Sequence, residues 1–440
     1  MTQPDSIRGH RTGSKAYRHA TLALFAAGMA TFMTLWYVQG LLPTFSTEFS
    51  VTPTVSALAV SATTAMLALM IVPASMLSER FGRVPVMAFS ALSSTAVGLL
   101  LPWSPSFEVL VAGRALQGIL CAGLPAVAMA YLVEELDARD IGKAMGTYVA
   151  GTSIGGLTGR LIPTFGLDIL AWHWAFQLVT ALAALFAVVF VWKVPASANF
   201  TPRRIPVRQV FAEQAAHLRN RTLLCLFGLG FLLLGAFMAV YNYLAYRLLQ
   251  EPFSLPATLV GSVFLLYLAG TASSAVAGRF GDRVGRGRVL LVAILVMGAG
   301  LAMTLANSLG ILLTGVGLIT AGFFAAHSIA SGWVPLRAPT NRSGASSLYL
   351  LAYYLGSALL GALAGPAFAE YAWPGLAIYV AVILVVSVSL ALVLLWTDTP
   401  YTSRDTVPPS HTARAPSEAP TGTGSVLVRS GRLDKVEPLS

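Results

Sequence analysis

The sequence predicts an all-α membrane protein with twelve transmembrane helices, arranged as two six-helix pseudo-repeats around a central cavity. The 440-residue chain is 56% hydrophobic and 10% charged, whereas soluble domains carry about 25% charged residues. Apolar runs of about 20 residues, enough to cross a bilayer, recur along almost the whole chain. A basic, glycine-rich turn also occurs twice between such runs, as SMLSERFGRV (75–84) and GRFGDRVGRGR (278–288).

The apolar runs divide the chain into five segments. We predict a cytoplasmic N-terminal segment (1–19), a six-helix bundle (20–193), a cytoplasmic linker (194–221), a second six-helix bundle (222–397) and a tail (398–440). The tail is rich in Ser, Thr, Pro and Arg, so we expect it to be disordered. The predicted spans are 20–43, 55–77, 85–102, 107–133, 142–165, 173–193, 222–247, 257–277, 289–306, 309–335, 343–369 and 373–397.

The basic residues predict the orientation. Of the 28 Lys and Arg, 25 lie in the N-terminal segment, the even-numbered loops and the tail, which leaves Arg114, Arg160 and Arg247. The positive-inside rule then places both termini in the cytoplasm, which requires an even number of spans. The net charge of +10 therefore indicates topology and contact with membrane lipid, with no nucleic acid as partner.

The two halves of the sequence also resemble each other. Glu79 and Asp282, at equivalent places in the two turns, are 203 residues apart. GTSIGG (151–156) corresponds to GSALLG (356–361) with an offset of 205. A nearly constant offset indicates a duplication of six spans, which is a known transporter architecture. Within each turn, Gly82 and Gly285 are expected where a side chain would clash.

With these residues in view, the chain resembles the major facilitator superfamily over roughly residues 20–397. The second turn matches the family's loop signature G-x-x-x-D-R-x-G-R, whereas the first has Ser75 for the Gly and Glu79 for the Asp. RALQG (114–118) is similar to the R-x-x-Q-G element of proton-coupled drug exporters. GTSIGGLTGR (151–160) is similar to the antiporter element G-P-x-x-G-G, with Thr152 for Pro. Further stretches resemble bacterial inner-membrane permeases described as predicted sugar or arabinose efflux permeases.

The charged loops suggest a gate at the cytoplasmic side. Acids and arginines near helix ends would pair in one state and separate in the other, although the arginines would also serve as topology anchors alone. Because the second copy of the turn is complete, we expect Asp282 to tolerate neutralisation less well than Glu79. The coupling and gating candidates are Arg114, Gln39, Gln117, Glu79, Arg80, Arg83, Asp282, Arg283 and Arg286.

Arg114 is the sharpest single candidate because an ionisable residue within a span usually faces a cavity or a partner. Gln39 lies at a similar depth and is expected to accept a hydrogen bond from it. The resemblance implies a role for Arg114 in proton antiport. The alternative is a structural arginine that bonds backbone carbonyls and locks spans one and four together. Arg160, toward the outer side of span five, is expected to extend to the membrane interface. The alternative is a functional role at the outer mouth.

Two further sets of residues are predicted from their chemistry. Glycines in span five permit close helix packing: Gly151, Gly155, Gly156 and Gly159. Polar and aromatic groups within spans suit sugars or amphipathic organic compounds, although several of the tyrosines would also fit interfacial belts. These substrate-cavity candidates are Tyr37, Tyr131, Tyr241, Asn242, Tyr246, His327 and Tyr353.

These observations favour a monomeric secondary transporter of the inner membrane that exports a small organic compound in exchange for protons. The alternatives are an importer or anion permease of the same fold and, in a different class, a membrane receptor or sensor. No Asp or Glu occupies the centre of a predicted span, so the proton carrier is not identified. No enzyme motif, nucleotide loop, metal site or cofactor is predicted.

Overall fold

Long apolar helices account for nearly all of the computed structural model, which describes residues 9–202 and 206–397. Within these residues the chain forms no β-strand, only an isolated bridge between His10 and Leu136. This result confirms the all-α fold class. The predicted tail (398–440) and the first eight residues of the predicted N-terminal segment lie outside the described residues.

The first half of the chain contains nine α-helices and two short 3₁₀ segments. The first helix continues through a 3₁₀ turn, Tyr37–Leu41, instead of ending at a loop. The helices are α1 (Lys15–Trp36), α2 (Leu42–Glu48), α3 (Pro53–Ser56), α4 (Leu58–Phe81), α5 (Arg83–Leu100), α6 (Phe107–Cys121), α7 (Gly123–Glu135), α8 (Ile141–Gly166) and α9 (Trp172–Lys193). The second 3₁₀ segment is Leu101–Trp103.

The linker and the second half contribute seven more helices. The predicted linker contains a helix of its own, and the last helical stretch breaks at Tyr371 and Ala372, where the backbone leaves helical geometry. The helices are α10 (Val207–Leu218), α11 (Arg221–Leu249), α12 (Ala257–Ser262), α13 (Tyr267–Val284), α14 (Arg286–Met303), α15 (Leu309–Arg337) and α16 (Arg342–Thr397). A 3₁₀ turn, Val263–Leu266, joins α12 to α13.

Ten helical stretches in the described part of the chain are long and apolar enough to cross a membrane. One of them, Arg342–Trp396, is 55 residues long and includes the break at Tyr371 and Ala372. Helix α8 is 26 residues long but is not among the ten, because its glycines, Lys143 and Arg160 lower its hydropathy. Dividing the long stretch and adding α8 would give twelve, and the count of twelve stays a prediction.

The two glycine-rich turns are constrained by backbone conformation and not by space. Gly82 and Gly285 have φ values of 99° and 97°, a region that strongly favours glycine. A Cβ at Gly82 would approach no closer than 3.4 Å to Pro85, and one at Gly285 would meet nothing within 4 Å. The expected clash is therefore wrong. The positive φ supplies the reason for glycine at both equivalent positions.

The N-terminal segment is attached to the loop between α7 and α8. Arg11 donates to the Asp137 carboxylate at 3.0 Å, and the Thr12 hydroxyl and backbone N–H both donate to Asp140. The backbone N–H of Arg139, together with Arg11, holds the pKa of Asp137 below its usual value. The bonds from Thr12 lower the pKa of Asp140 in the same way. These contacts fix residues 10–12 against a loop that the basic residues predict to be cytoplasmic.

Glycines on α8 allow it to lie directly against α1. A Cβ on Gly155 would lie 2.7 Å from the Met29 carbonyl oxygen, and a Cβ on Gly159 would lie 2.9 Å from the Met33 Cα. Gly151 meets the backbone of Phe25 in the same manner. The contacts recur every four residues on both helices, as expected for one helix face. These three glycines therefore lie where helix packing was predicted.

In the second half, Gly356 occupies a comparable place. A Cβ there would collide with the backbone of Phe231, so α16 and α11 also cross at a glycine. Buried apolar residues then extend in one cluster through both halves, while a smaller cluster fills the first half around α1, α7, α8 and α9. The glycine crossings thus hold α1 against α8 in the first half and α11 against α16 in the second.

Replacement of Gly155 by Ala should destabilise the α1–α8 contact, because the new Cβ would meet backbone atoms that cannot move aside. We expect the free energy of unfolding to fall by about 1–3 kcal/mol, the usual cost of overpacking. The matched control is Gly146→Ala on the same helix, where a Cβ meets nothing within 4 Å. Melting temperatures in detergent would measure both, and equal stability of the two variants would contradict the packing role.

Candidate functional site

The two halves of the chain touch at the end of the molecule opposite the glycine-rich turns, called here the far end. The Ser46 hydroxyl lies 2.7 Å from the Tyr246 hydroxyl, which donates to the Leu42 carbonyl at 2.8 Å. Nearby, a Cβ on Gly365 would press on the Thr54 side chain. Both halves contribute to each of these contacts. Tyr246, a predicted substrate residue, therefore lies in the contact that closes the far end.

A hydrogen-bonded chain of three buried polar residues also joins the halves. Gln39 accepts from Arg160 Nε through Oε1 at 2.7 Å and donates from Nε2 to Asn242 Oδ1 at 2.7 Å. Arg160 also donates from Nη1 to the Gly156 carbonyl at 2.6 Å. Arg160 is 2% exposed and Asn242 is 1% exposed. We call Arg160, Gln39 and Asn242 the central triad.

Aromatic rings surround the guanidinium of the central triad. The Arg160 Cζ lies 4.6 Å from the Tyr267 ring centroid, 4.7 Å from that of Trp36 and 5.6 Å from that of Phe264. Trp36 belongs to the first half, whereas Tyr267 and Phe264 belong to the second. The expectation that Arg160 extends to the membrane interface is therefore wrong. Cation–π contacts and the Gln39 amide hold it between the halves.

Three donors around the central triad have no acceptor among the described residues. Arg160 Nη2 makes no hydrogen bond there, whereas Nε and Nη1 each make one. The Asn242 Nδ2 and Tyr267 Oη atoms are buried and likewise have no partner. Buried polar groups are usually hydrogen-bonded. The arrangement therefore offers donors, one of them charged, without a matching protein acceptor.

His327 lies in a stack of rings within the second half. Its Nδ1 is 3.0 Å from the Tyr349 hydroxyl, and its ring centroid is 4.4 Å from that of Tyr353 and 5.9 Å from that of Phe323. Phe323 in turn stacks on Phe237 at 4.0 Å. The same aromatic cluster continues to Tyr241, whose hydroxyl bonds Thr320 at 2.7 Å, and to Tyr267 beneath Arg160. His327, Tyr353 and Tyr241 are thus brought into one aromatic surface.

Arg114 occupies a different site, inside the first half. It donates to the carbonyls of Ala59 at 3.0 Å and of Thr34 and Leu35 at 2.8 Å, and to the Gln117 side chain. Thr34 and Leu35 lie where α1 gives way to the 3₁₀ turn. The end of a helix leaves carbonyls without helical partners and favours a cation. Arg114 is 0% exposed and stabilises this junction.

The predicted bond between Arg114 and Gln39 is therefore wrong, because Gln39 faces the other half and takes Arg160 as its donor. The contacts of Arg114 are those of the structural alternative, and its coupling role stays a prediction. Gln117 serves the same junction, accepting from the Tyr37 hydroxyl at 2.7 Å and donating to the Ser94 carbonyl at 2.8 Å. Tyr37 thus belongs to the wall of the first half and not to the cavity.

Tyr131 also differs from its predicted place in the substrate cavity. It is fully buried near the end of α7, and its hydroxyl donates to the Pro195 carbonyl in the linker at 3.0 Å. The neighbouring Glu135 carboxylate accepts from the backbone N–H groups of Ala198 and Asn199 at 3.1 Å each. Tyr131 therefore helps to attach the linker to the first half.

The first charged turn forms a compact ion-pair network. Arg83 Nη2 lies 2.6 Å from the Glu134 carboxylate and 2.7 Å from that of Glu79. Arg83 also donates to the Ser78 hydroxyl, and its guanidinium lies 5.3 Å from the ring of Phe200 in the linker. Only 7% of its side chain is exposed. Arg83 therefore joins the ends of α4, α5 and α7.

The second charged turn is open to its surroundings. Arg286 Nη2 lies 3.3 Å from Asp282, whose side chain is 72% exposed. The Arg80 guanidinium lies 5.1 Å from the ring of the exposed Phe81. Neither Arg80 nor Arg283 forms an ion pair with another described residue. The gate predicted from the four arginines is thus unequal: Arg83 carries the strong contacts. These contacts favour the opposite ranking of Asp282 and Glu79, and the ranking expected from the sequence stays a prediction.

Comparison with known proteins shows the family to which the chain belongs. The sequence profile of the Major Facilitator Superfamily matches residues 24–250 and 226–432. The chain belongs to the major facilitator superfamily. It is 41% identical over 388 residues to the inner membrane transport protein YnfM of Escherichia coli, covering 88% of this chain and 92% of that protein. It is 39% identical over 381 residues to the uncharacterized transporter YybF of Bacillus subtilis, covering 87% and 94%.

Solved structures of the superfamily share the fold. A bacterial homologue of the human lysosomal transporter Spinster, inward-facing and occupied, superposes with a TM-score of 0.69 at 17% identity over 88% of this chain and 98% of that one. The nucleoside transporter NupG gives 0.70 at 14% identity, over 86% and 100%. The family expected from the loop signatures is confirmed, and members of this superfamily are secondary transporters. The described helices and the resemblance to YnfM support a multi-pass protein of the inner membrane.

Sequence reasoning missed Tyr267 and the central place of Arg160. A signal was present for Arg160, because only three basic residues lie outside the cytoplasmic segments. Its glycine neighbour at 156, one helical turn earlier, leaves room for the guanidinium: a Cβ there would lie 3.3 Å from Arg160 Nη1. Tyr267 carried no such signal, since it is one of 14 tyrosines.

Neutralising an acid that pairs with Arg83 in the first charged turn should lower stability and transport more than neutralising Asp282 in the second. Glu134→Gln weakens a charged hydrogen bond to a buried arginine, which contributes about 1.5–3 kcal/mol. Asp282→Asn removes an exposed pair that contributes about 0–1 kcal/mol. We expect a clearly lower melting temperature and weaker transport for Glu134→Gln and Glu79→Gln. If Asp282→Asn proves the more harmful change in both assays, the contacts described here do not govern the turn.

Proposed function

We propose that this transporter exports a small organic compound in exchange for protons by alternating access. The observation that carries the proposal is the central triad, in which polar residues of both halves meet within the membrane-spanning helices. Binding sites of such transporters lie near the membrane midplane between repeats. A solute that contacts Arg160 and the aromatic surface would touch both halves at once.

Alternating access requires contacts that differ between two states. The far-end contacts through Tyr246, Leu42 and Ser46, together with the central triad, favour a state closed at that end. They must separate for the far end to open. Each is a hydrogen bond that contributes about 0.5–1.5 kcal/mol, so together they supply a bias that the binding of one solute would overcome.

The proposed proton carrier is His327. Among the described residues, no Asp or Glu lies in the middle of a spanning helix, whereas His327, whose imidazole can bind and release a proton, lies near the middle of α15. Its bond with Tyr349 orients the ring, and Tyr353 stacks on it within the same aromatic surface. Protonation there would change the charge beside a bound solute.

Export is supported by resemblance to the multi-drug resistance efflux pump PmrA of Streptococcus pneumoniae, to which the chain is 27% identical over 227 residues. The chain is 26% identical over 225 residues to the chloramphenicol resistance protein CraA of Acinetobacter baumannii. It is also 25% identical over 268 residues to a probable 4-methylmuconolactone transporter of Cupriavidus pinatubonensis. Both names indicate small organic solutes, so these two compounds are suitable first probes.

Proteoliposomes that contain the purified protein would test proton exchange. With an acid interior and a neutral exterior, external chloramphenicol or 4-methylmuconolactone should enter as protons leave, so a trapped pH dye should report an alkaline shift inside. Counterflow of the labelled solute without a pH gradient serves as the parallel assay. Counterflow without any alkaline shift at saturating solute would refute antiport and favour a uniporter or permease.

His327→Gln should separate solute movement from proton movement. The amide retains a polar group that can meet Tyr349 but cannot titrate, so we expect counterflow to persist while the alkaline shift falls by about tenfold or more. His173→Gln is the matched control, because His173 stacks on Trp172 at the beginning of α9, away from this surface. An unchanged alkaline shift in His327→Gln would assign the proton to another group.

A further inference from the structure

We propose that Arg160, Asn242 and Tyr267 form an anion site that binds the carboxylate of an organic-acid substrate. The inference rests on the proposed transport function and names the class of solute. It starts from the three donors without a protein acceptor: Arg160 Nη2, and the buried Asn242 Nδ2 and Tyr267 Oη. A carboxylate can accept several hydrogen bonds and donates none when ionised.

The charge of the site favours the same class. No Asp or Glu lies within ion-pair distance of Arg160 in residues 9–202 or 206–397. A buried cation without a counter-charge is costly, and protein carbonyls and rings compensate it only in part. An entering anion would supply the missing charge, whereas an entering cation would meet like charge at low dielectric.

The positions of the donors suit one small anion. Arg160 and Asn242 hold opposite ends of the same Gln39 amide, each at 2.7 Å. Tyr267 lies with its ring 4.6 Å from the Arg160 Cζ. The three residues are thus neighbours, linked through the Gln39 amide or in ring contact, as one carboxylate that accepts from all three requires. Planar guanidinium geometry also matches a carboxylate well.

The surroundings predict an apolar body for the solute. Tyr241 stacks on Phe264 and meets Tyr267 edge-on, and the aromatic surface continues through Phe237 to Phe323. Ring faces of this kind bind flat apolar groups and give few hydrogen bonds. The class of solute that fits both the anion site and the aromatic surface is therefore a monocarboxylate with an aromatic or similarly flat body.

The site would also couple binding to movement of the halves. Gln39 and Asn242 are the bridge between the first and second halves. A carboxylate that accepts from Arg160 Nη2 and Asn242 Nδ2 would itself connect the first half to the second, beside the Gln39–Asn242 bond. Binding would therefore change how the halves are joined, which gives the solute a different affinity for the two states.

Tryptophan fluorescence of the purified full-length protein would test the proposal. Trp36 lies 4.7 Å from the Arg160 guanidinium, so an anion there should change its emission, and Trp36→Phe should abolish that change. The probes are benzoate, cinnamate and 2-naphthoate, and the affinity of each is compared with that of its neutral amide and of the corresponding amine. We expect the carboxylate to bind about tenfold or more tightly than the amide, and the amine to bind least.

Substitutions show which residues give the protein its preference for a carboxylate over an amide. Arg160→Gln should remove the advantage of carboxylate over amide, Arg160→Lys should keep part of it, and Tyr267→Phe should reduce it by a few-fold while leaving amide binding unchanged. Arg247→Gln is the matched control. Arg247 also lies over aromatic rings, Trp373 at 5.2 Å and Phe253 at 5.5 Å, and has no acidic partner in the described chain, but it is not part of the central triad.

The outcomes separate this proposal from the transport function. Failure of all three carboxylates to bind, or loss of the preference in Arg247→Gln instead of Arg160→Gln, would overturn the anion site. Proton exchange with a neutral solute would then still stand. Conversely, carboxylate binding at Arg160 without any proton movement in proteoliposomes would support the site and refute antiport. Melting temperatures show which variants are folded, and Tyr267→Phe tests the site with the smallest change.

Discussion

The structure depends on how two arginines are held within apolar helices without an acidic partner. A charged group inside a membrane is costly, so its donors must be satisfied by other groups. Arg114 takes three backbone carbonyls and one amide, all inside the first half. Arg160 takes one carbonyl, one amide and three aromatic faces that belong to both halves. The same residue type thus stabilises one half and joins the two.

The hydrogen-bonding capacity of arginine determines the direction of every amide in the central triad. A guanidinium can only donate, so Gln39 must turn its oxygen toward Arg160 and its nitrogen toward Asn242. Asn242 must then present Oδ1, and its Nδ2 is left without a partner among the described residues. The lack of a partner for Asn242 Nδ2 is therefore a consequence of the buried charge on Arg160. One cation leaves two donors, its own Nη2 and that of Asn242, available to a solute.

The fold was largely predictable from sequence, whereas the site was predictable only in part. Hydrophobic runs and repeated turns depend on composition and spacing, and the family's loop signature agreed with both. Counting residues along a span gives depth but not the direction in which a side chain points. Gln39 and Arg114 have similar depths, yet Gln39 projects toward Asn242 and Arg114 toward the carbonyls in the last turn of α1. Only the packing of the 3₁₀ turn Tyr37–Leu41 against both α8 and α11 decides which partners Gln39 meets.

The charged turns show the same limit of sequence patterns. The second turn matches the family signature completely, but Asp282 is 72% exposed and its ion pair with Arg286 is 3.3 Å long. The first departs at two positions, yet Arg83 is buried by Phe200 and held by Glu79 and Glu134. The difference arises from the linker, whose Phe200 covers the Arg83 guanidinium of the first turn. Burial strengthens an ion pair more than an ideal motif does, so the linker makes equivalent turns physically unequal.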